Sequence, residues 1–451
     1  MSSNEIGSLV LTLGILLTVI HSLAHLFEKL RQPRLVGEIL AGILIGPFVL
    51  GELAPLVSAR LFGNGTTGTN KIDIVLHFIY WLGLLLLMFV SGSETRRLLA
   101  RENRREIAWI IGIGTPLPFF LVLGLGLGGL LPLHTMVGSA GQEISALLVL
   151  AIAVAVTSIP VISRIFYDLK ILHTRFASLI LGSAVLEDII LWGVLAIATA
   201  LASSATLAQQ HVIGDITAHL AAAVVYMGAG LTIAPALLKR LHDQRGNFLV
   251  KASPVAYVIL ILLVYAIVAA AFNVTLVFAA FLAGFGLVGG IDGSQRHRFA
   301  EALDSIAKVA VAFFIPIYFA MVGYKLVFGD GLSFSMLIAF LLGSTVLCLL
   351  SVGLAARLAG FRGMDIVNLA VVTNARGGPG IVLATVAYET GIINAAFYTT
   401  LVLTAVLTSQ AAGAWLRFVL SRGWPLLSTN PMETWSGAEI KQPIEIEEAY
   451  K

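Results

Sequence analysis

The chain has 451 residues, of which 58% are hydrophobic and only 12% charged, with a mean hydropathy of +0.95. A soluble globular protein carries roughly 25% charged residues, so this chain lacks the polar surface to coat a water-soluble particle and reads as an integral membrane protein. The net charge of +3 lends no support to nucleic-acid binding, and the single cysteine, Cys348 in an apolar run, excludes a disulfide framework or a cysteine metal site.

A helix that crosses the hydrocarbon core needs about 20 mostly apolar residues. Apolar runs between charged or Gly/Pro/Asn-rich breaks predict an all-α polytopic protein with about 13 spans. They lie near 6–27, 35–50, 74–93, 107–131, 144–165, 176–201, 216–238, 253–271, 273–290, 309–328, 333–356, 366–388 and 393–418. The first span follows MSSNE, which lacks a basic n-region, and is read as a retained helix rather than a removable signal. The eighth and ninth are parted only at Phe272-Asn273. The segment GIDGSQRHRFAEALDSIAK, before the tenth, reads as an amphipathic helix on the inner face. Residues 1–420 thus form one membrane domain, and 421–451, ending IEIEEAYK, a disordered cytoplasmic tail.

Basic residues concentrate in cytoplasmic loops. With the N-terminus outside, every odd-numbered loop is cytoplasmic, and these loops with the C-terminal end hold all the lysines and arginines except Arg60, Lys71, Lys325 and Arg376. The expected topology is therefore N-terminus out and C-terminus in, in the cell's inner membrane.

Ionisable groups at bilayer depth are expensive and mark ion or proton pathways. Glu187-Asp188 falls near the middle of the sixth span, SLILGSAVLEDIILWGVLAIA. Neighbours on a helix point about 100° apart, so the two acids cannot both face lipid. The fifth span carries Thr157-Ser158 ahead of Pro160, which removes a backbone donor and bends or breaks the helix. The hydroxyls can satisfy freed backbone groups. The twelfth span repeats the device with Asn374, Arg376, Gly377, Gly378, Pro379 and Gly380 at its centre. Three glycines and a proline do not sustain a regular helix.

The two breaks sit at corresponding positions, fifth of the first six spans and fifth of the last six. Two six-span halves of opposite topology joined by a linker span make an inverted repeat, and paired broken helices at the midplane point to a secondary transporter's binding site. Half-helix ends of both signs would meet there, with Asn374, Arg376 and Glu187-Asp188 offsetting them. The Asp188 carboxylate is the natural seat for a small cation or a proton. A channel is disfavoured, since no TVGYG-like filter occurs, and adjacent acids cannot serve as an intramembrane aspartyl protease. A sodium-coupled symporter of a small organic anion, held by Arg376, stays open as the alternative. His21 and His25, four apart on the first span, read as interior polar contacts, and Glu38 as an entrance or packing acid.

With these residues in hand, the chain resembles cation:proton antiporter family 2, within the sodium/hydrogen exchanger superfamily that includes Kef-type potassium efflux proteins. The resemblance rests on RQPRLVGEILAGILIGP (31–47), LLLLMFVSGSETRRL (84–98), VTSIPVISRIFYDLKIL (156–172) and LGSAVLEDII (181–190), with AAFLAGFGL, FFIPIYFAMVG and NARGGPGIVL following in order. It implies a sodium/proton antiporter fold and exchange of Na+ or K+ for protons, without cofactor and without enzymatic activity. It further implies a homodimer with scaffold helices about 6–93 and 253–328, core helices about 107–201 and 333–418, and a linker about 216–238. By the same resemblance Asp188 binds cation and proton alternately, Glu187 is its partner acid, and Thr157 and Ser158 contribute at the crossover. The chain departs from the family in three ways. Its acid pair is Glu-Asp, its eleventh span carries no lysine to partner the first acid, and no Kef-type nucleotide-binding domain follows the membrane region.

Overall fold

A computed structural model describes residues 3–30, 32–62, 71–98, 104–172, 174–207, 221–222, 225–243, 247–272, 274–291 and 296–428. These residues are helical almost throughout, and the one bridge between extended segments joins Val137 to Ile393. Among the described residues, ten helical stretches are long and apolar enough to cross a membrane, and two shorter apolar helices, Glu143–Ala155 and Leu276–Gly289, accompany them.

In chain order the principal helices are α1 (Ser3–Lys29), α2 (Arg34–Ile45), α3 (Lys71–Leu98), α4 (Arg105–Leu127), α5 (Glu143–Ala155), α6 (Ile159–Asp168) and α7 (Arg175–Leu207). Then follow α8 (Ala234–Asp243), α9 (Pro254–Ala271), α10 (Leu276–Gly289), α11 (His297–Tyr324), α12 (Phe334–Leu358), α13 (Met364–Thr373), α14 (Gly377–Glu389) and α15 (Ala395–Ser421). The expected fifth span is α5 plus α6 and the twelfth is α13 plus α14, each broken where its sequence predicts. Of the expected seventh span, residues 216–220 and 223–224 lie outside the described residues, and 225–243 are helical with a π turn at Ala229–Ile233.

Two readings shift. The amphipathic segment before the tenth span is not a separate element: it runs on through a π turn at Ala310–Phe314 into one helix, His297–Tyr324. No glycine or proline interrupts Lys308–Phe314, and Pro316 falls just after the π turn, where its missing N–H is tolerated. The tail is not free from its first residue. Ser428 donates from its backbone N–H (2.8 Å) and its hydroxyl (2.9 Å) to Asp365, and Asn368 Nδ2 donates to the Leu426 carbonyl at 3.1 Å. Asp365 and Asn368 are fully buried, and polar groups so placed require such partners. Residues 429–451 lie outside the described residues.

The helices pack as two sets. One joins α1 to α2, α2 to α11, α3 to α10 and α11, and α9 to α10; the other joins α4 to α5 and α12, α5 to α7, α12 to α13 and α15, and α14 to α15. In lipid no hydrophobic force draws helices together, so close approach through small residues supplies the packing energy. Gly42 and Gly323 do this at the α2–α11 crossing, where a methyl group on either would overlap the opposing carbonyl of Ala320 or Ile39. Gly92 and Gly284 do the same between α3 and α10, against Phe281 and Phe89. The matched crossings are what an inverted repeat produces.

Gly323→Leu is expected to force α2 and α11 apart and destabilise the protein by about 1–3 kcal/mol, the usual range for overpacking, lowering the melting temperature of the detergent-solubilised protein. Gly343→Ala on α12, where an added methyl meets open space, should leave melting unchanged or raise it.

Candidate functional site

A helix interrupted at membrane depth exposes backbone donors and acceptors that water cannot reach, and each must find a partner inside the protein. Helix α5 stops at Ala155, and α6 starts at Ile159; α13 stops at Thr373, and α14 starts at Gly377. The two gaps lie against each other and supply each other's partners. The Thr157 hydroxyl donates to the Thr373 carbonyl at 2.8 Å, and the Ser158 N–H donates to the Ala375 carbonyl at 2.7 Å. Arg376 Nη2 reaches back to the Val154 carbonyl at 3.4 Å, placing positive charge at the C-terminal end of α5, where the helix dipole is negative.

The N-terminus of α14 is held from another direction. The N–H groups of Arg376 and Gly377 donate to Thr408 Oγ1 (3.4 Å) and Ser409 Oγ (3.1 Å) on α15. Gly377 has φ +36°, and a side chain there would strike Ser158 and Val161. That glycine is what lets the two broken helices touch.

Beside this crossing runs α7, packed on α5, α6, α13 and α14. Its Asp188 is 0% exposed, and both carboxyl oxygens lack a hydrogen-bond partner. Glu187 is also buried and lies next to the hydroxyls of Thr157 and Thr115, with Oε2 unpartnered. Unpartnered buried carboxyl oxygens are costly. Ser158 Oγ and Asn374 Oδ1 are further buried acceptors without partners, and Asn374 Nδ2 donates to Thr345 Oγ1 on α12 at 3.3 Å.

All six residues singled out in the sequence, Thr157, Ser158, Glu187, Asp188, Asn374 and Arg376, therefore lie at or beside one crossing. Among the described residues no ion pair joins Arg376 to Glu187 or Asp188. Its guanidinium lies 5.9 Å from the Phe340 ring centroid on α12, with Nε and Nη1 unpartnered. Sequence reasoning missed Thr115, which follows the π turn Ile110–Gly114 of α4, and the α15 hydroxyls that cap α14. A Thr ahead of Pro116 inside an apolar span, and the Thr/Ser-rich run of α15, were the available signals.

From one end of the molecule a cavity of about 790 Å³ opens between the two helix sets, lined by Glu28, Gln32 and Arg34 on one side and by Ile165, Ser409 and Arg417 on the other. Ser409 is the residue that caps α14, so the cavity reaches the second break. His21 and Glu38 lie behind Arg34, with His21 Nδ1 at 3.2 Å from Arg34 Nη2, His21 Nε2 at 3.0 Å from the Ala312 carbonyl and Glu38 at 3.8 Å from Arg34 Nε. His21 and Glu38 make interior contacts, whereas His25, expected to share that role, is exposed on α1.

Two crossing interrupted helices around buried acids at membrane depth are the architecture of a secondary transporter. The chain belongs to the sodium/hydrogen exchanger family, whose transmembrane model matches residues 15–422. It is 26% identical over 320 residues to Cation/H(+) antiporter 18 of Arabidopsis thaliana, a match covering 70% of this chain but 36% of that protein. It is 25% identical over 394 residues to the Na(+)/H(+)-K(+) antiporter GerN of Bacillus cereus, covering 86% of this chain and 90% of that one. The fold is similar to a solved structure of the sodium proton antiporter MjNhaP1 from Methanocaldococcus jannaschii at pH 8. The TM-score is 0.61 at 17% identity, over 93% of this chain and 99% of that one.

Gly377→Ala is expected to push α14 off Ser158, at a cost on the order of 1–3 kcal/mol for a strained backbone and a clash together. A lowered melting temperature in detergent would register it, and an unchanged one would show that the crossing tolerates a methyl group.

Proposed function

We propose that this chain is a secondary active antiporter that exchanges a monovalent cation, Na+ or K+, for protons by alternating access around Asp188. The observation that carries this reading is the fully buried Asp188 carboxyl with both oxygens unpartnered, beside the point where two interrupted helices meet. A single buried carboxylate suits a singly charged ion, and it holds either that ion or a proton. Competition for the one group makes the exchange obligatory, because the loaded states are charge-compensated and the bare carboxylate is not. Family membership and the antiporter names of the relatives support the same reading.

In this reading the α4–α7 and α12–α15 set is a core that slides past a scaffold of α1–α3 and α9–α11, and the chain works as a homodimer. The N-terminus faces out, the C-terminus faces in, and the cavity beside Glu28 and Arg34 opens to the cytoplasm. Glu187, beside Thr157 and Thr115, positions Asp188 and does not itself carry the cation. The symporter alternative gains nothing from the site: Arg376 reaches the Val154 carbonyl, and neither relative named above is called a symporter.

Purified protein in liposomes with an entrapped pH dye, given a proton gradient, is expected to dequench the dye on addition of Na+ or K+ without any organic solute. Asp188→Asn should reduce this response to that of empty liposomes, and an Asp188→Asn variant that still exchanges would overturn the assignment. Glu187→Gln should retain exchange, slowed by no more than about tenfold, or about 1.4 kcal/mol.

A further inference from the structure

Opposite the cavity, the same two helix sets are bolted together. Lys325, just past α11, forms an ion pair with Glu389, the last residue of α14, and each side chain is less than one-fifth exposed. Tyr80 on α3 donates its hydroxyl to the same Glu389 oxygen at 3.2 Å, and its ring lies 3.9 Å from the lysine nitrogen. One helical turn deeper on α14, Thr385 is within 3.1 Å of the Tyr318 hydroxyl of α11, and the rings of Tyr80 and Tyr318 lie 5.4 Å apart. Two further bonds cross the same seam: Tyr398 of α15 donates to the Val322 carbonyl at 3.2 Å, and the Val327 N–H donates to Thr399 Oγ1 at 3.1 Å.

The ion pair and every hydrogen bond in this cluster have one partner on α3 or at α11 and the loop after it, and the other on α14 or α15. The Tyr80 ring contacts with Lys325 and Tyr318 brace one side of the seam. A largely buried ion pair is seldom the most stabilising solution for its site, since apolar residues of similar volume often do as well. Its value lies in being a discrete arrangement that can be broken and remade. Tyr80, Tyr318, Tyr398 and Thr385 around it are fully buried.

From this geometry we infer that Lys325, Glu389 and Tyr80 form a gate that seals the outer approach to Asp188 while the inner cavity is open, and that it parts when the site turns outward. The inference rests on the antiport reading for the direction of transport and the facing of the two ends. The seal itself is read from the contacts. Lys325 is the gating cation, Glu389 the acid it must leave, and Tyr80 the group that orients the acid.

The gate is tested without measuring transport. In a Cys348→Ser background, which removes the chain's single cysteine, Thr385→Cys places a thiol just beneath the ion pair. A membrane-impermeant maleimide is applied to the outer face of intact cells, and to inverted vesicles for the inner face. Thr385→Cys alone should label slowly from outside. Adding Glu389→Gln or Lys325→Met should raise that rate at least about tenfold, the effect of a shift of about 1.4 kcal/mol, with no comparable rise from inside. Lys325→Arg, which keeps the cation over Tyr80, should stay within about twofold of the parent, because Arg also pairs with carboxylates and stacks on aromatic rings.

Gel filtration identifies the variants that remain folded. Should Glu389→Gln not fold, Tyr80→Phe, which removes one hydroxyl only, is expected to accelerate outer labelling in the same direction. Unchanged labelling in the folded variants, equal acceleration from both faces, or Lys325→Arg behaving like Lys325→Met would each overturn the gate. Failure of the parent chain to exchange cations for protons would count against the antiport reading alone, since the labelling pattern stands independently of it.

Discussion

The structure depends on one constraint: backbone left without partners at membrane depth must be satisfied by protein. Each broken helix answers this for the other. The α5–α6 gap lends Thr157 and the Ser158 N–H to carbonyls of the α13–α14 gap, and Arg376 returns its guanidinium to the end of α5. The crossing therefore gives partners to backbone groups at both breaks, while both Asp188 oxygens, Ser158 Oγ and Asn374 Oδ1 beside it have none.

The two helix sets follow from the same constraint. A crossing that is closed within the set of α4–α7 and α12–α15 needs nothing from α1–α3 or α9–α11, so the seam between the sets is free to carry other chemistry. At one end that chemistry is a polar cavity reaching Ser409; at the other it is Lys325, Glu389 and the tyrosines. Within the second set, glycine pairs hold α2 to α11 and α3 to α10 in backbone-to-backbone contact. Tight packing inside that set against polar, breakable contacts between the sets is the distribution expected of parts that move as rigid bodies.

Arg376, expected at the second break to offset half-helix ends, donates to the Val154 carbonyl at the end of α5 and lies near the Phe340 ring. The C-terminal end of a half-helix carries partial negative charge and has no water to screen it, so it attracts the guanidinium. Glu187, which the missing eleventh-span lysine leaves without a basic partner, lies instead beside the hydroxyls of Thr157 and Thr115.

Hydropathy alone determined that this is a polytopic helical protein, because a span is a local run of about 20 apolar residues and needs no partner to be recognised. The two interruptions were equally legible, since Pro160 and the Gly377–Gly380 run break a helix whatever surrounds them, and so was the cost of an acid pair in mid-span. Only the tertiary structure decided how these pieces serve one another. The Thr157–Thr373 bond joins residues 216 apart and the Lys325–Glu389 pair residues 64 apart. Such distances along the chain leave no periodicity to read. Lys325 was visible only as an outer-loop charge and Tyr80 only as one aromatic in an apolar run, because a gate is a property of two surfaces meeting, and a sequence describes each surface separately.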